Sequence, residues 1–166
     1  YSSVTFTLVN TERLYLTGTE NIDGIGNSSD NQIVGNSGNN SLIGGDGNDN
    51  LYGGAGEDSL TGGLGNDNLY LGVDNAVDVV NYVLGDGVDK VYQFVRGASG
   101  DIFNYSGITA IDVFTLGANT QLRISDGIDG NADFGKGQLL VTLFGTSGFN
   151  NADVDVNLFG ANFLFS

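Results

Sequence analysis

GGDGNDNLY (44–52), GGAGEDSLT (53–61) and GGLGNDNLY (62–70) follow one another without a gap. Position 1 of the nine is Gly44, Gly53 and Gly62, and position 2 is Gly45, Gly54 and Gly63. Position 4 is Gly47, Gly56 and Gly65, position 6 is Asp49, Asp58 and Asp67, and position 8 is Leu51, Leu60 and Leu69. Each unit therefore has a glycine-rich half and a short extended half. Glycine reaches φ > 0 without steric cost, which a tight turn needs. The other half, Asn50-Leu51-Tyr52 and its equivalents, fits a short strand with its apolar centre on one face and its neighbours on the other. One apolar residue in nine cannot close a core alone, so the units must stack. A flexible glycine-rich linker would have no reason to place Leu at every ninth position.

Weaker units continue the register on both sides. GNSSDNQIV (26–34) and GNSGNNSLI (35–43) keep position 8 as Ile33 and Leu42. Asn31 and Asn40 replace the aspartate, and Asn27 and Asn36 replace the second glycine. Asn tolerates the left-handed conformation better than most residues, so the turn is expected to survive in that conformation. Downstream, LGDGVDKVY (84–92) matches the unit except at position 1 and puts Asp89 at position 6. Between them, residues 71–83 read as an irregular half-turn with Asp78 in the ligand position.

The ends differ in character. In residues 1–26, Val4, Phe6 and Leu8 alternate with Ser and Thr, and Leu14 and Leu16 with Arg13 and Tyr15. These are expected to be opening turns of the same array. Residues 93–166 alternate apolar and polar residues over 102–105, 112–116, 121–124, 138–144, 155–159 and 162–165, with a hairpin signal at Gly117-Ala118-Asn119. No helical period is present. A stacked array leaves an open apolar end that needs an atypical closing piece. The segment reads as an antiparallel β cap with a small core of its own.

The tandem G-G-x-G-x-D-x-U-x units resemble the RTX (repeats-in-toxin) family. The resemblance implies an all-β chain: a right-handed parallel β-roll over residues 1–92, two units per turn, capped by the antiparallel region 93–166. Loops 18 residues apart would then share an edge. Asp49 would lie beside Asp67, with Asn31 before and Asp89 after; Asn40 would lie beside Asp58, followed by Asp78. Carboxylates stacked one strand apart repel unless a cation lies between them. Calcium suits such a place, taking 6–8 oxygens at about 2.3–2.6 Å from carboxylates and backbone carbonyls. The implied ion-holding residues are Asn40, Gly44, Gly45, Asp46, Gly47, Asp49, Gly53, Gly54, Ala55, Gly56, Asp58, Gly62, Gly63, Leu64, Gly65, Asp67, Asp78 and Asp89, for several calcium ions. Where both partners are Asn, a weak site or none is expected. The resemblance further implies an extracellular protein that meets the type I secretion machinery and folds on calcium after export. Residues 93–166 are similar to C-terminal regions of RTX proteins of the cyanobacterial kind, and residues 162–166 would belong to the export signal.

Composition narrows the function. A net charge of −15 with five basic residues argues against nucleic acid and anionic membranes. There is no Cys and no His, which removes disulfides, the Ser-His-Asp triad and the usual zinc ligands. No apolar run is long enough to span a bilayer. The chain opens at Tyr1 without a signal peptide and reads as a fragment of a longer protein. Glu occurs only at Glu12, Glu20 and Glu57, and the repeat aspartates are committed to metal, so no catalysis is expected of these residues. Tyr52 and Tyr70 both stand at position 9, 18 residues apart. They read either as a ladder packing on its neighbours or as a platform for a polysaccharide or cell surface. The run from Asp126 to Asp133 has the oxygen spacing of half an EF-hand, but Phe134 and Leu140 stand where Gly and Glu belong, so it reads as a solvated loop. Thr17-Gly18-Thr19 is a single copy and makes no ice-binding ridge.

Overall fold

The computed structural model describes residues 4–97, 99–108, 110–124, 138–146, 158–159 and 162–165. Among the described residues there are strands and no helix, hence no helix able to cross a membrane. The first eight strands are β1 (Val4–Thr7), β2 (Arg13–Tyr15), β3 (Ile22–Ile25), β4 (Gln32–Val34), β5 (Ser41–Asp46), β6 (Asn50–Tyr52), β7 (Ser59–Leu64) and β8 (Asn68–Tyr70). The rest are β9 (Val79–Val83), β10 (Asp89–Tyr92), β11 (Ile102–Ser106), β12 (Ala110–Leu116), β13 (Asn119–Ile124), β14 (Leu139–Phe144), β15 (Leu158–Phe159) and β16 (Asn162–Phe165).

From β1 to β12, consecutive strands fall on opposite sheets. One sheet runs β1-β3-β5-β7-β9-β11-β15, the other β16-β12-β13-β14-β10-β8-β6-β4-β2. Each turn of the solenoid is one odd and one even strand, and its pairs from β1 to β11 are parallel. The expected register is met: Ser41 pairs with Ser59 and Asn50 with Asn68. Beyond the perfect repeats the turns lengthen, so Ser59 pairs with Val79, Lys90 with Asn68, and Ile102 with Val79.

Position 8 points inward, as its apolar character requires. Ile33, Leu51, Leu69, Val91 and Leu143 follow one another in register across the even sheet and are fully buried. Leu42, Leu60, Val80 and Phe103 do the same across the odd sheet. Fully burying one such side chain contributes roughly 1.5–3 kcal/mol. The core therefore lies as a thin seam between the sheets, and both loop edges lie beside it.

The C-terminal part closes the roll with an antiparallel edge: β13 pairs antiparallel with both β12 and β14, across the turn at Gly117-Ala118. It is joined to the roll through parallel pairs, β14 on β10 and β11 on β9. The sheets thus run through residue 92 without interruption, and the buried side chains of both parts form one cluster. The EF-hand-like run 126–133 lies outside the described residues, as does Ser166 of the expected export signal.

Candidate metal centre

The position-6 side chains form two columns, one on each edge. Along one, the Asn31 N–H donates to Asp49 Oδ1 (2.7 Å), the Asp49 N–H to Asp67 Oδ1 (2.7 Å) and the Asp67 N–H to Asp89 Oδ1 (3.0 Å). Along the other, the Asn40 N–H donates to Asp58 Oδ1 (2.8 Å), Asp58 to Asp78 (2.9 Å) and Asp78 to Asp101 (3.0 Å). Asp78 and Asp89 hold the places expected from the irregular spacing. Every carboxylate is fixed by the turn before it, and Asp49, Asp58, Asp67, Asp78 and Asp89 are all buried.

Only half of each carboxylate is satisfied in the perfect repeats. Oδ2 of Asp49, Asp58 and Asp67 is buried with no hydrogen-bond partner. A buried, unpaired charged oxygen is costly. The same oxygens face the position-1 glycines. A Cβ on Gly53 would meet Asp58 Oδ2 and the Leu71 carbonyl oxygen, each at 2.6 Å. On Gly44 it would strike Asp49 Oδ2 and the Gly62 carbonyl, and on Gly62 it would strike Asp67 Oδ2. An orphaned carboxylate oxygen thus borders a small space that only glycine leaves open. For Gly44 and Gly53 a backbone carbonyl borders it too. Position 2 is glycine for a different reason: Gly63 has φ +100° and its Cβ would strike the Gly45 carbonyl. Hard oxygen donors, one carboxylate per loop with carbonyls beside it, fit calcium. Among the described residues no three acidic side chains gather at one point, so any ion here leans on the backbone.

Burial dominates the electrostatics. It pushes Asp49 up to about 6, Asp58, Asp67 and Asp78 to about 7, and Asp89 to about 8. The amide from the preceding turn opposes the shift in each case, and nearby carboxylates add to it. Burial thus favours the protonated form, most at Asp89 and least at Asp49, unless a cation takes the proton's place.

The asparagine loops are built otherwise, and here the left-handed expectation fails. Among the described residues the one non-glycine with positive φ is Gln93, not Asn27 or Asn36. Instead Asn27 Oδ1 accepts the Ser29 N–H, and Asn36 Oδ1 the Gly38 N–H, both at 2.8 Å. The side chain closes the turn that a left-handed backbone closes elsewhere. Asn31 and Asn40 complete the loop: Oδ1 accepts the N–H of Asn27 or Asn36, while Nδ2 donates to Oδ1 of that same residue. Asn40 Nδ2 also reaches the Ile22 carbonyl at 2.7 Å. Asn40 therefore offers the Asp58 site its backbone N–H, its amide being already engaged. Of the position-3 residues expected to lend carbonyls, Asp46 and Leu64 are exposed and Ala55 half-buried.

Sequence reasoning missed two features. Asp101 ends the second column, its Oδ1 held by the Asp78 N–H and its Oδ2 by the Val95 N–H at 2.7 Å. The signal was Asp101-Ile102-Phe103, which keeps positions 6 and 8, with Gly97 at position 2, after Arg96 and Ser99 have replaced the glycines of positions 1 and 4. The position-5 side chains make a second ladder of opposite sense, in which the later turn donates to the earlier: Asn48 N–H to Asp30 Oδ1, Asn66 N–H to Asn48 Oδ1, and Val88 N–H to Asn66 Oδ1.

Tyr52 and Tyr70 stack with ring centroids 4.5 Å apart and planes 3° from parallel. Tyr92 and Phe144 extend the column at 4.6 and 4.9 Å. The rings cover one another's faces, and each is half-buried. Burial in the stack raises the Tyr70 phenol, as do the neighbouring hydroxyls.

The family model of the RTX calcium-binding nonapeptide repeat (4 copies) matches residues 25–60 and again residues 43–77. The fold is similar to the solution structure of the AlgE6R2 subunit of the Azotobacter vinelandii mannuronan C5-epimerase, at 25% identity and a TM-score of 0.53, covering 72% of this chain and 82% of that one. The AlgE6R3 subunit of the same enzyme is similar at 24% identity and a TM-score of 0.49, over 87% of this chain and 80% of that one. No curated protein matches the chain. Over residues 25–77 the edge loops, their glycines and their buried aspartates are those of RTX calcium-binding nonapeptide repeats, and the chain carries that repeat there.

Proposed function

We propose that this chain is a structural module of an extracellular protein whose roll is completed by calcium ions on both edges. The observation that carries the reading is the set of buried, unpartnered Oδ2 atoms on Asp49, Asp58 and Asp67 beside position-1 glycines. Those three carboxylates would hold the ions, with Asp78 and Asp89 serving the following turns and the loop carbonyls of 44–47, 53–56 and 62–65 filling the shell. The ion would neutralise stacked charge in a seam-like core too thin to fold alone. Ordering backbone costs roughly 1–2 kcal/mol per residue. An ion that binds only the folded state offsets this by about 2.7 kcal/mol per site at a hundredfold excess over Kd. A module of this kind stays unfolded at cytosolic calcium, which suits type I export, and folds outside the cell.

The test is far-ultraviolet dichroism of the chain titrated with calcium after chelator treatment, with calorimetry for the number of ions. A β spectrum that is unchanged in excess chelator would sink coupled folding. A polysaccharide platform at Tyr52 and Tyr70 has thinner support. The similar epimerase subunit comes from an enzyme acting on mannuronan. Yet Tyr70 is stacked on both sides and has no open face for a sugar, and Tyr52 has one face on Tyr70 and Val34 as its next neighbour in register.

A further inference from the structure

The tyrosine column takes no part in the edge chemistry. Its setting in the composition is unusual. The chain has no Cys, Met, Trp or His, so the sulfur side chains that normally absorb oxidation are missing. Phenols are the side chains left for a one-electron oxidant. Tyr52, Tyr70 and Tyr92 are paired in register on successive even strands. Their rings lie 4.5 and 4.6 Å apart, within 8° of parallel, with edges open to solvent. The other described tyrosines are worse placed. Tyr82 and Tyr105 are buried and mutually tilted by 58°. Tyr15 is separated from Tyr52 by Val34 in the register. Phe144 continues the stack beyond Tyr92 without a phenol.

We propose that Tyr70, coupled to Tyr52 or to Tyr92, is an oxidative cross-linking site at which a peroxidase-type one-electron oxidant fed by hydrogen peroxide forms dityrosine between successive turns. Each phenol gives up one electron and its hydroxyl proton. The two radicals join through the carbons ortho to oxygen. The two ortho hydrogens then move to restore both phenols, for a net loss of two hydrogens. The two electrons and two protons reduce one hydrogen peroxide to two waters. The new bond closes a loop between neighbouring turns and restricts the unfolded chain, as any cross-link does. The roll then outlasts the removal of whatever else holds it. The site needs only the folded sheet, so it stands whether or not calcium drives folding.

The test starts from the folded 166-residue chain, checked by dichroism, in dilute solution with a haem peroxidase and hydrogen peroxide. The expected product is a monomer lighter by two hydrogens, with dityrosine fluorescence. Trypsin cuts after Arg13, Lys90 and Arg96, so a Tyr70–Tyr92 bond carries peptide 91–96 on peptide 14–90. Cleavage after Glu57 parts Tyr52 from Tyr70 unless they are joined. Tyr70→Phe keeps a ring in the stack but parts the two remaining phenols, and intramolecular yield should fall on the order of tenfold or more as contact is lost. If that variant does not fold, Tyr92→Phe serves: the bond should then map to Tyr52–Tyr70 alone. Undiminished yield in Tyr70→Phe, bonds mapping to Tyr15, Tyr82 or Tyr105, or cross-linking only between molecules would overturn the proposal. An unchanged spectrum in chelator would instead defeat the calcium reading and leave this one standing.

Discussion

The loops at 26–43 and those at 44–70 share one fold and differ chiefly at positions 2 and 6, where asparagine stands for glycine and for aspartate. In the first, Asn31 and Asn40 close on themselves: oxygen and nitrogen of each amide are both engaged by the loop. In the second, Asp49, Asp58 and Asp67 each place one oxygen on the preceding turn and leave the other buried without a partner. A neutral amide donates a proton to the oxygens around it; a carboxylate cannot, and needs something positive instead. The asparagine loops are therefore self-sufficient and the aspartate loops conditional. The difference teaches that a degenerate repeat can be a completed one.

We expect chelation to have the largest effect. Losing an ion forfeits about 2.7 kcal/mol per site at a hundredfold excess over Kd. The aspartate turns should unfold, and the asparagine turns, left with nothing to stack on, should follow in one transition by dichroism. Two separate transitions would show the asparagine part to be an independent unit. Next comes Asp67→Ala, which removes the acceptor of the Asp49 N–H. A hydrogen bond to a charged group is worth about 1.5–3 kcal/mol, and the calcium midpoint should rise as well. Asn31→Ala should cost about 0.5–1.5 kcal/mol, with the same loss in calcium and in chelator. Equal calcium dependence of the two variants in denaturant unfolding would erase the contrast. Asp49→Asn supplies the amide of the asparagine loops but not its acceptor, because position 2 stays Gly45 where those loops have Asn27 or Asn36. It should bind less calcium and gain little in chelator, and a variant made fully independent of calcium would refute the closed-amide account.

Acidity acts on the same oxygens. The buried aspartates titrate at about 6 to 8 in the fold against 3.8 unfolded. Folding therefore takes up protons between these values, and the metal-free roll loses stability as pH rises from about 4 through about 8. Whatever β signal persists in chelator should be strongest near pH 4. With calcium present the slope reverses, because ion and proton compete for the same oxygens, and affinity should climb over the same range. A calcium midpoint independent of pH between 6 and 8 would show that these carboxylates are not the ligands.

Much of this was legible in residues 44–70. Leucine at every ninth position gave the seam, and aspartate at position 6 gave the edge columns. The 18-residue pairing followed from two units per turn, whereas Asp78 could be set opposite Asp58, 20 residues away, only by allowing extra loop residues in 71–83. The asparagine turns were harder. Propensity says that Asn tolerates positive φ, but Asn27 and Asn36 had a cheaper option in their own side chains. Asp101 was hidden because Arg96 and Ser99 replace two of its three glycines, although Gly97 and Asp101-Ile102-Phe103 kept the turn, column and core positions. The parallel pairing of β14 with β10 joins residues far apart in the chain, and no local pattern around Leu139 specifies it.

A perfectly periodic solenoid has an ambiguity of phase. Sliding one part of residues 26–70 past another by a whole turn puts glycine on glycine and leucine on leucine again, so many wrong alignments look almost right. The lengthening turns remove that degeneracy. The column contacts span 18 residues within the repeats, then 20 from Asp58 to Asp78, 22 from Asp67 to Asp89 and 23 from Asp78 to Asp101. No shift of one turn can match those unequal steps. The irregular stretch after residue 70 works like a vernier beside a uniform scale: it singles out one alignment among the many that the repeats alone would accept.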